Sequence, residues 1–288
     1  MKLRKITAVI ICALLLAGSL CVGAYAEEGK KFYLVLGDSI GYGSGLVNSR
    51  EACYGKIVAD TDGYEYANDA IPGHTTRNLL DRLKEDKVIE HVKKADIISI
   101  TIGGNNFLLG NIFGLLFDGI VKQDYSGIDS IAENFYKDFD KIVSEINALN
   151  PDAVILMQTI YNPQTGYIGE VYQQGADRVN AQIVRYAGEH PDEVVIVDIA
   201  KALTDSETDF ASDRIHPSKV GNEKIAVEIL KTLKDLGLGE NTEPVINTPG
   251  IDITMTGSFT GAVDAVSRLF HFMSLIYNFI RNLFPFIG

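Results

Sequence analysis

Residues 32–45 read Phe32-Tyr33-Leu34-Val35-Leu36-Gly37-Asp38-Ser39-Ile40-Gly41-Tyr42-Gly43-Ser44-Gly45. Five successive apolar residues end at a glycine, and polar, glycine-rich sequence follows. A short unbroken apolar run bounded this way is the pattern of a strand buried on both faces, as in a parallel sheet covered by helices. Comparable runs lie at Ile97–Ile102, Ala153–Met157 and Val194–Ile199, with a weaker one around Tyr64–Ala67. Stretches of helical character separate them at Tyr54–Asp60, Thr76–Lys84, Ile128–Leu149, Tyr172–His190 and Ser218–Leu236. This alternation predicts an α/β fold over residues 30–236. The expected architecture is a three-layer α/β/α sandwich on a five-stranded, mostly parallel sheet.

The two ends of the chain read differently. Residues 1–26 carry Lys2, Arg4 and Lys5, no acid, and an uncharged run from Ile6 to Ala26 that closes on Ala24-Tyr25-Ala26. A basic start, an apolar middle and a small-x-small end describe a secretory signal peptide, so export with cleavage after Ala26 is expected. An uncleaved anchor is the other reading, because a run of this length spans a bilayer when tilted. Cleavage would take the net charge from −12 to −15 and leave Cys53 as the sole cysteine. One thiol forms no internal disulfide, and a buried apolar role suits it. Gly237–Ser258 is rich in Gly, Pro and Thr and reads as a linker. Residues 259–288 hold six of the 13 phenylalanines and only three charges, Asp264, Arg268 and Arg281. Polar residues recur there every three or four positions, which predicts an amphipathic helix with a wide apolar face. Its uncharged run of 12 residues is too short to span a bilayer. Two readings stand: contact with a membrane surface or partner protein, or folding back onto the domain.

Several functions are excluded by composition and spacing. A chain 46% apolar and 22% charged is no disordered tail, and a net charge of −12 opposes nucleic-acid binding. Gly41-Tyr42-Gly43-Ser44-Gly45 lacks the dinucleotide-binding spacing, and no phosphate-loop G-K-[S/T] occurs. His74, His91, His190 and His216 stand apart without metal-ligand spacing, so neither metal nor cofactor is expected.

In parallel sheets, chemistry gathers at the carboxyl ends of the strands. The first three apolar strands are followed by Gly37-Asp38-Ser39-Ile40, by Ala70-Ile71-Pro72-Gly73-His74, and by Gly103-Gly104-Asn105-Asn106. Asp213-Arg214-Ile215-His216-Pro217 precedes the last long helix. Serine becomes a nucleophile only when a base takes its proton and a third group orients the base. Ser39, His216 and Asp213 suit those three parts. A tetrahedral intermediate also needs preorganised donors, which Gly73 and Asn105 would help supply. Singly, each residue has a plainer explanation: a helix cap for Ser39, a turn former for Asp213 or Asn105, a structural role for His216. Their ordered appearance at successive strand ends is far harder to obtain by accident.

In that order the sequence resembles the SGNH (GDSL) hydrolase family, from about Lys30 to Leu236. Gly37-Asp38-Ser39-Ile40, Gly73, Gly103-Gly104-Asn105 and Asp213-Arg214-Ile215-His216-Pro217 match its four blocks. The resemblance implies a flavodoxin-like sandwich. It further implies Ser39 as nucleophile, His216 as base and Asp213 as its partner. The Ser39 and Gly73 amides, with the Asn105 side chain, would form the oxyanion hole. One departure stands out: the third block usually reads G-x-N-D, and Asn106 occupies the Asp position here. The hydrogen bonding that holds Asn105 is the point at issue.

The expected reaction is two-step hydrolysis of a carboxylic ester through an acyl-enzyme, by a secreted protein. Phe107, Leu108, Leu109, Ile112 and Phe113 follow directly, and they would form a lid or acyl pocket, or merely a buried helix. Lipid or medium-chain esters suit the first possibility, whereas carbohydrate O-deacetylation suits an acidic exported enzyme equally. A weakly catalytic protein that attaches to surfaces through residues 259–288 is the alternative of another class.

Overall fold

The structure is a computed structural model that describes residues 29–109, 111–255 and 258–283. The expected signal peptide lies outside the described residues. Five parallel strands form one sheet: β1 (Phe32–Gly37), β2 (Glu65–Asn68), β3 (Ile97–Thr101), β4 (Val154–Gln158) and β5 (Val194–Val197), in the order β2-β1-β3-β4-β5. That is the flavodoxin-like arrangement, with the reversal of strand order between β1 and β3.

Alternation along β1 divides the core into two layers. Leu34 and Leu36 point to one side with Ile98, Ile100, Ile155 and Met157, under helices that include Ser126–Leu149 and Gly166–Glu189. Tyr33 and Val35 point to the other with Leu156, under Tyr54–Asp62 and Lys219–Asp235. Both faces of the sheet are thereby sealed, which is why the strands read as unbroken apolar runs. Cys53 is buried, with its sulfur 3.3 Å from the Tyr66 hydroxyl.

The structure differs from the sequence expectation at element ends. β5 stops at Val197, not Ile199, because the Asp198 side chain accepts from Lys201 N–H and starts a helical turn, Ile199–Ala202. The helix expected from Tyr172 begins at Gly166, a left-handed glycine (φ 64°) preceded by the extended Thr165. Asp86–Lys94 is a further helix, short and highly charged, that buries only Val88 and Val92.

Residues 237–255 contain no helix, yet hydrogen bonds tie them along the domain. Asn241 bonds Asp62, Val245 N–H donates to Thr61 Oγ1, and Leu46 forms an antiparallel bridge with Asp252. The helix Ser258–Leu283 then packs Val266, Phe270, Met273 and Tyr277 against Leu116, Ile120, Val121, Ile128 and Val171. Leu269, Phe272, Leu275, Ile276, Phe279, Ile280 and Leu283 remain exposed on it. No described helix is long and apolar enough to cross a membrane.

Gly37 sits where β1 meets β3, with φ 120°, and a Cβ there would lie 1.9 Å from the Thr101 carbonyl oxygen. Gly37→Ala must therefore break the β1–β3 register or unfold the chain. We expect a loss exceeding the roughly 4 kcal/mol that marks an exceptional single substitution. Urea unfolding followed by circular dichroism measures it, and a wild-type midpoint would refute the contact's importance.

Candidate active site

The loop that carries Ser39 is built by caps and close approaches. Asp38 N–H donates to Thr101 O at 2.9 Å, and Asp38 Oδ1 accepts from Ile40 N–H at 3.0 Å. Asp38 is therefore the N-cap of a short helix, Ser39–Tyr42, that places Ser39 in its first turn. Gly41 N–H donates to Thr101 Oγ1 at 3.0 Å, which locks that turn onto β3.

The second and third blocks are held together by side-chain amides. Ile71-Pro72-Gly73-His74 is a turn closed by His74 N–H to Ile71 O, with Gly73 at φ 81°; Pro then Gly is the order that a type II turn requires. Asn105 is the second residue of the short helix Gly104–Leu108 after β3, and its Nδ2 donates to His74 O at 3.0 Å. Asn106 accepts from Thr76 N–H through Oδ1 and donates to Thr76 Oγ1 through Nδ2. The Thr76 hydroxyl in turn donates a hydrogen bond to Oδ2 of the buried Asp138 at 3.1 Å. Asn106 thus has both an acceptor and a donor engaged, and a carboxylate stands one step further along.

Three donors remain unspent. Among the described residues, neither Ser39 N–H nor Gly73 N–H has a hydrogen-bond partner, and one N–H of the Asn105 amide is free. All three residues line one cavity of about 380 Å³, together with His216.

The His216–Asp213 pair arrives on the loop before Lys219–Asp235. His216 Nδ1 lies 2.6 Å from Asp213 Oδ2, while Asp213 Oδ1 accepts from the backbone N–H of Ile215 and His216. Burial works to raise the Asp213 pKa, but these hydrogen bonds outweigh it and hold the carboxyl below its usual range. An ionised carboxylate only accepts, so Nδ1 of His216 carries the proton and Nε2 the lone pair. No hydrogen bond joins Ser39 Oγ to His216 among the described residues; such contacts commonly tighten only when substrate is bound.

Glycine decides how near this loop comes. A Cβ on Gly45 would sit 2.0 Å from Pro217 O and 3.2 Å from His216 Cβ. The segment after residue 249 ties the two loops from outside. Ile253 N–H donates to Gly45 O, Ser212 Oγ donates to Ile253 O, and Met255 N–H donates back to Ser212 Oγ.

The five apolar candidates divide between two spaces. Leu108 and Leu109 line the cavity that holds Ser39 and His216, and Phe107, Leu108, Ile112 and Phe113 line a neighbouring one. Sequence reading missed the wall formed by Gln158, Thr159, Ile160 and Tyr161, although the carboxyl end of β4 is where the strand-end rule would have looked. Tyr161 also donates to Ile215 O at 2.9 Å, steadying the acid–base loop. Tyr172 and Ile199 complete the pocket from distant helices. Among the described residues, no three His, Cys, Asp or Glu side chains converge as metal ligands.

A hydroxyl, an imidazole–carboxylate pair and unspent amide donors around one cavity are the parts of a site for nucleophilic acyl transfer. The chain belongs to the GDSL-like lipase/acylhydrolase family, whose model matches residues 35–224. The uncharacterized protein YpmR of Bacillus subtilis is 27% identical over 180 residues, which cover 59% of this chain and 67% of that protein. The lipase Lip_vut3 from a goat rumen metagenome superposes with a TM-score of 0.60 at 21% identity, over 73% of this chain and 99% of its own. Phospholipase A1 from Streptomyces albidoflavus NA297 gives 0.54 at 18% identity, over 71% and 99%. The esterase EstA from a Pseudoalteromonas species gives 0.52 at 18%, over 72% and 98%. At these identities the solved structures show a common fold.

Asp38 generates a pH prediction. Burial raises its pKa from 3.8 to about 6, against hydrogen bonds from Ile40 and Thr101 and the nearby His216. A carboxyl raised in the folded state holds its proton more tightly there than in the unfolded chain. Stability from this group therefore falls as pH climbs from about 4 to about 6 and stays lower above, by about 3 kcal/mol. Asp38→Asn, which keeps an acceptor for Ile40, should match wild type in thermal stability at pH 4 and exceed it at pH 8. Parallel melting curves across that range would contradict the assignment.

Proposed function

We propose that the protein is an exported serine ester hydrolase. His216 takes the Ser39 proton as Ser39 attacks the ester carbonyl, then returns it to the departing alcohol. Water cleaves the acyl-enzyme with His216 again as base, and Asp213 stabilises the imidazolium in both steps. The negative oxygen of each tetrahedral intermediate is received by Ser39 N–H, Gly73 N–H and the free Asn105 N–H.

The observation that carries this reading is the convergence of unspent donors and the oriented His216 on one cavity with Ser39. Beside the polar Gln158 and Thr159, its lining presents Ile40, Ile102, Leu108, Leu109, Ile160 and Ile199, an apolar share that favours an ester with an apolar acyl group over an acetylated sugar. Export rests on the sequence of residues 1–26 alone.

A fluorophosphonate probe should label wild type and leave Ser39→Ala unlabelled; undiminished labelling of that variant removes Ser39 from the mechanism. Asn105→Ala should lower kcat roughly 10²–10³-fold, the usual effect of losing one oxyanion donor. An unchanged kcat on p-nitrophenyl butyrate would exclude Asn105 from the oxyanion hole.

A further inference from the structure

Beyond the catalytic cavity lies a second one of about 430 Å³. Leu108, Tyr172 and Ile215 line both spaces. Ile215 directly precedes His216, so the partition between them stands one residue from the imidazole. The inner wall of the second space includes Phe107, Leu116, Ile128 and Val171, and Val266 joins it from the helix Ser258–Leu283. Phe107 is fixed there by an edge-on contact with Tyr172, ring centroids 5.0 Å apart. Among the described residues, only Gln164 and Tyr172 bring polar side-chain atoms to the lining. A chamber with so few donors or acceptors has nothing to offer a sugar or a phosphate, which would lose hydration there without replacement. A hydrocarbon chain loses nothing polar and gains about fourfold in binding for each methylene it buries.

The C-terminal helix is a packed wall of this chamber. Val266, Phe270, Met273 and Tyr277 recur at helical spacing and close over Leu116, Ile120, Val121, Ile128 and Val171. His271 stacks on Tyr167 of the neighbouring helix at 4.4 Å, which sets the helix's rotation. The family model stops at residue 224, so this wall comes from sequence outside the family match.

We infer that the second chamber receives the acyl chain of the ester, led from the reacting carbonyl past Leu108 and Ile215, with the C-terminal helix as a structural wall of that subsite through Val266. This inference rests on the ester-hydrolase reading. It assigns the helix to substrate selection, at a site that none of the catalytic side chains occupies.

Two measurements on the full chain test it. The first is kcat/KM for p-nitrophenyl esters from acetyl to decanoyl, with wild type, Val266→Trp and Ile168→Trp; the last fills the chamber from the helix Gly166–Glu189 and serves if the first variant fails to fold. In wild type kcat/KM should climb with chain length. In a folded Trp variant the decanoyl-to-acetyl ratio should fall by roughly tenfold or more, the worth of two buried methylenes, while acetyl turnover stays within about twofold of wild type because the catalytic cavity is untouched. The second is binding of a fluorescent polyene fatty acid, displaced by decanoate, to Ser39→Ala with and without Val266→Trp. Binding that Val266→Trp abolishes supports the chamber even if no ester is hydrolysed, in which case the ester-hydrolase reading alone falls. Hydrolysis of short esters with no fatty-acid binding, or a chain-length profile unchanged by both Trp variants, overturns the inference and leaves the hydrolase reading standing.

Discussion

The carbonyl oxygen of Thr101 accepts from Asp38 N–H at 2.9 Å, and around this contact the site is organised. It joins Asp38, the residue after β1, to the last residue of β3, where Gly37 and Thr101 are paired in register. A side chain at position 37 would occupy the space of that oxygen, so the contact exists only because Gly37 has none. The strand order reverses between these two strands, and reversal opens a crevice at their carboxyl ends. Ser39 leaves β1 on one side of that crevice and Asn105 leaves β3 on the other. Ser39 opens a short helix, whose first N–H groups have no partner within the helix, and Asn105 brings a side-chain amide from the first turn of another. The same register that seals the core therefore sets a hydroxyl and amide donors around one cavity.

The remaining parts come from distant sequence and need their own ties. Gly45 lets the His216-Pro217 backbone approach the loop after Ser39, and the strand-like segment at Ile251–Ile253 bonds to Gly45, Val47 and Ser212 at once. Environment then separates two nearby carboxyls. Asp213 is held ionised by three hydrogen bonds, whereas buried Asp38 is pushed up to about 6. The first can stabilise a positive imidazole. The second serves the backbone as a cap, and its charge is a burden that the fold tolerates to place Ser39.

Much of this was legible in the chain. The unbroken apolar runs gave away parallel strands because burial on both faces leaves no polar alternation. The functional blocks were legible because turns at strand ends demand particular residues: glycine at positive φ in Gly37 and Gly73, a capping acid in Asp38. What stayed hidden depended on partners far along the chain. The effect of Asn106 in the usual Asp position turned on Thr76 and Asp138, 30 and 32 residues away on opposite sides. Tyr161 at the end of β4 looked like ordinary loop sequence until its hydroxyl was found on Ile215 O. Residues 237–255 have a linker's composition, since Gly and Pro disfavour helix and strand. Composition says nothing about long-range bonds, and those hold the segment against the loops that carry Gly45 and Ser212.

By itself, the sequence determined the layers, the strand positions and the short list of residues able to do acyl-transfer chemistry. These follow from local rules of periodicity, capping and turn geometry. Only the tertiary structure decided which apolar residues line a cavity and which merely pad the core, because Phe107 and Phe135 read alike in one dimension. It also placed one face of the C-terminal helix on the domain while leaving another exposed. A helix's apolar width can be read from its spacing, but which part of that width finds a partner depends on the surface that the rest of the chain presents.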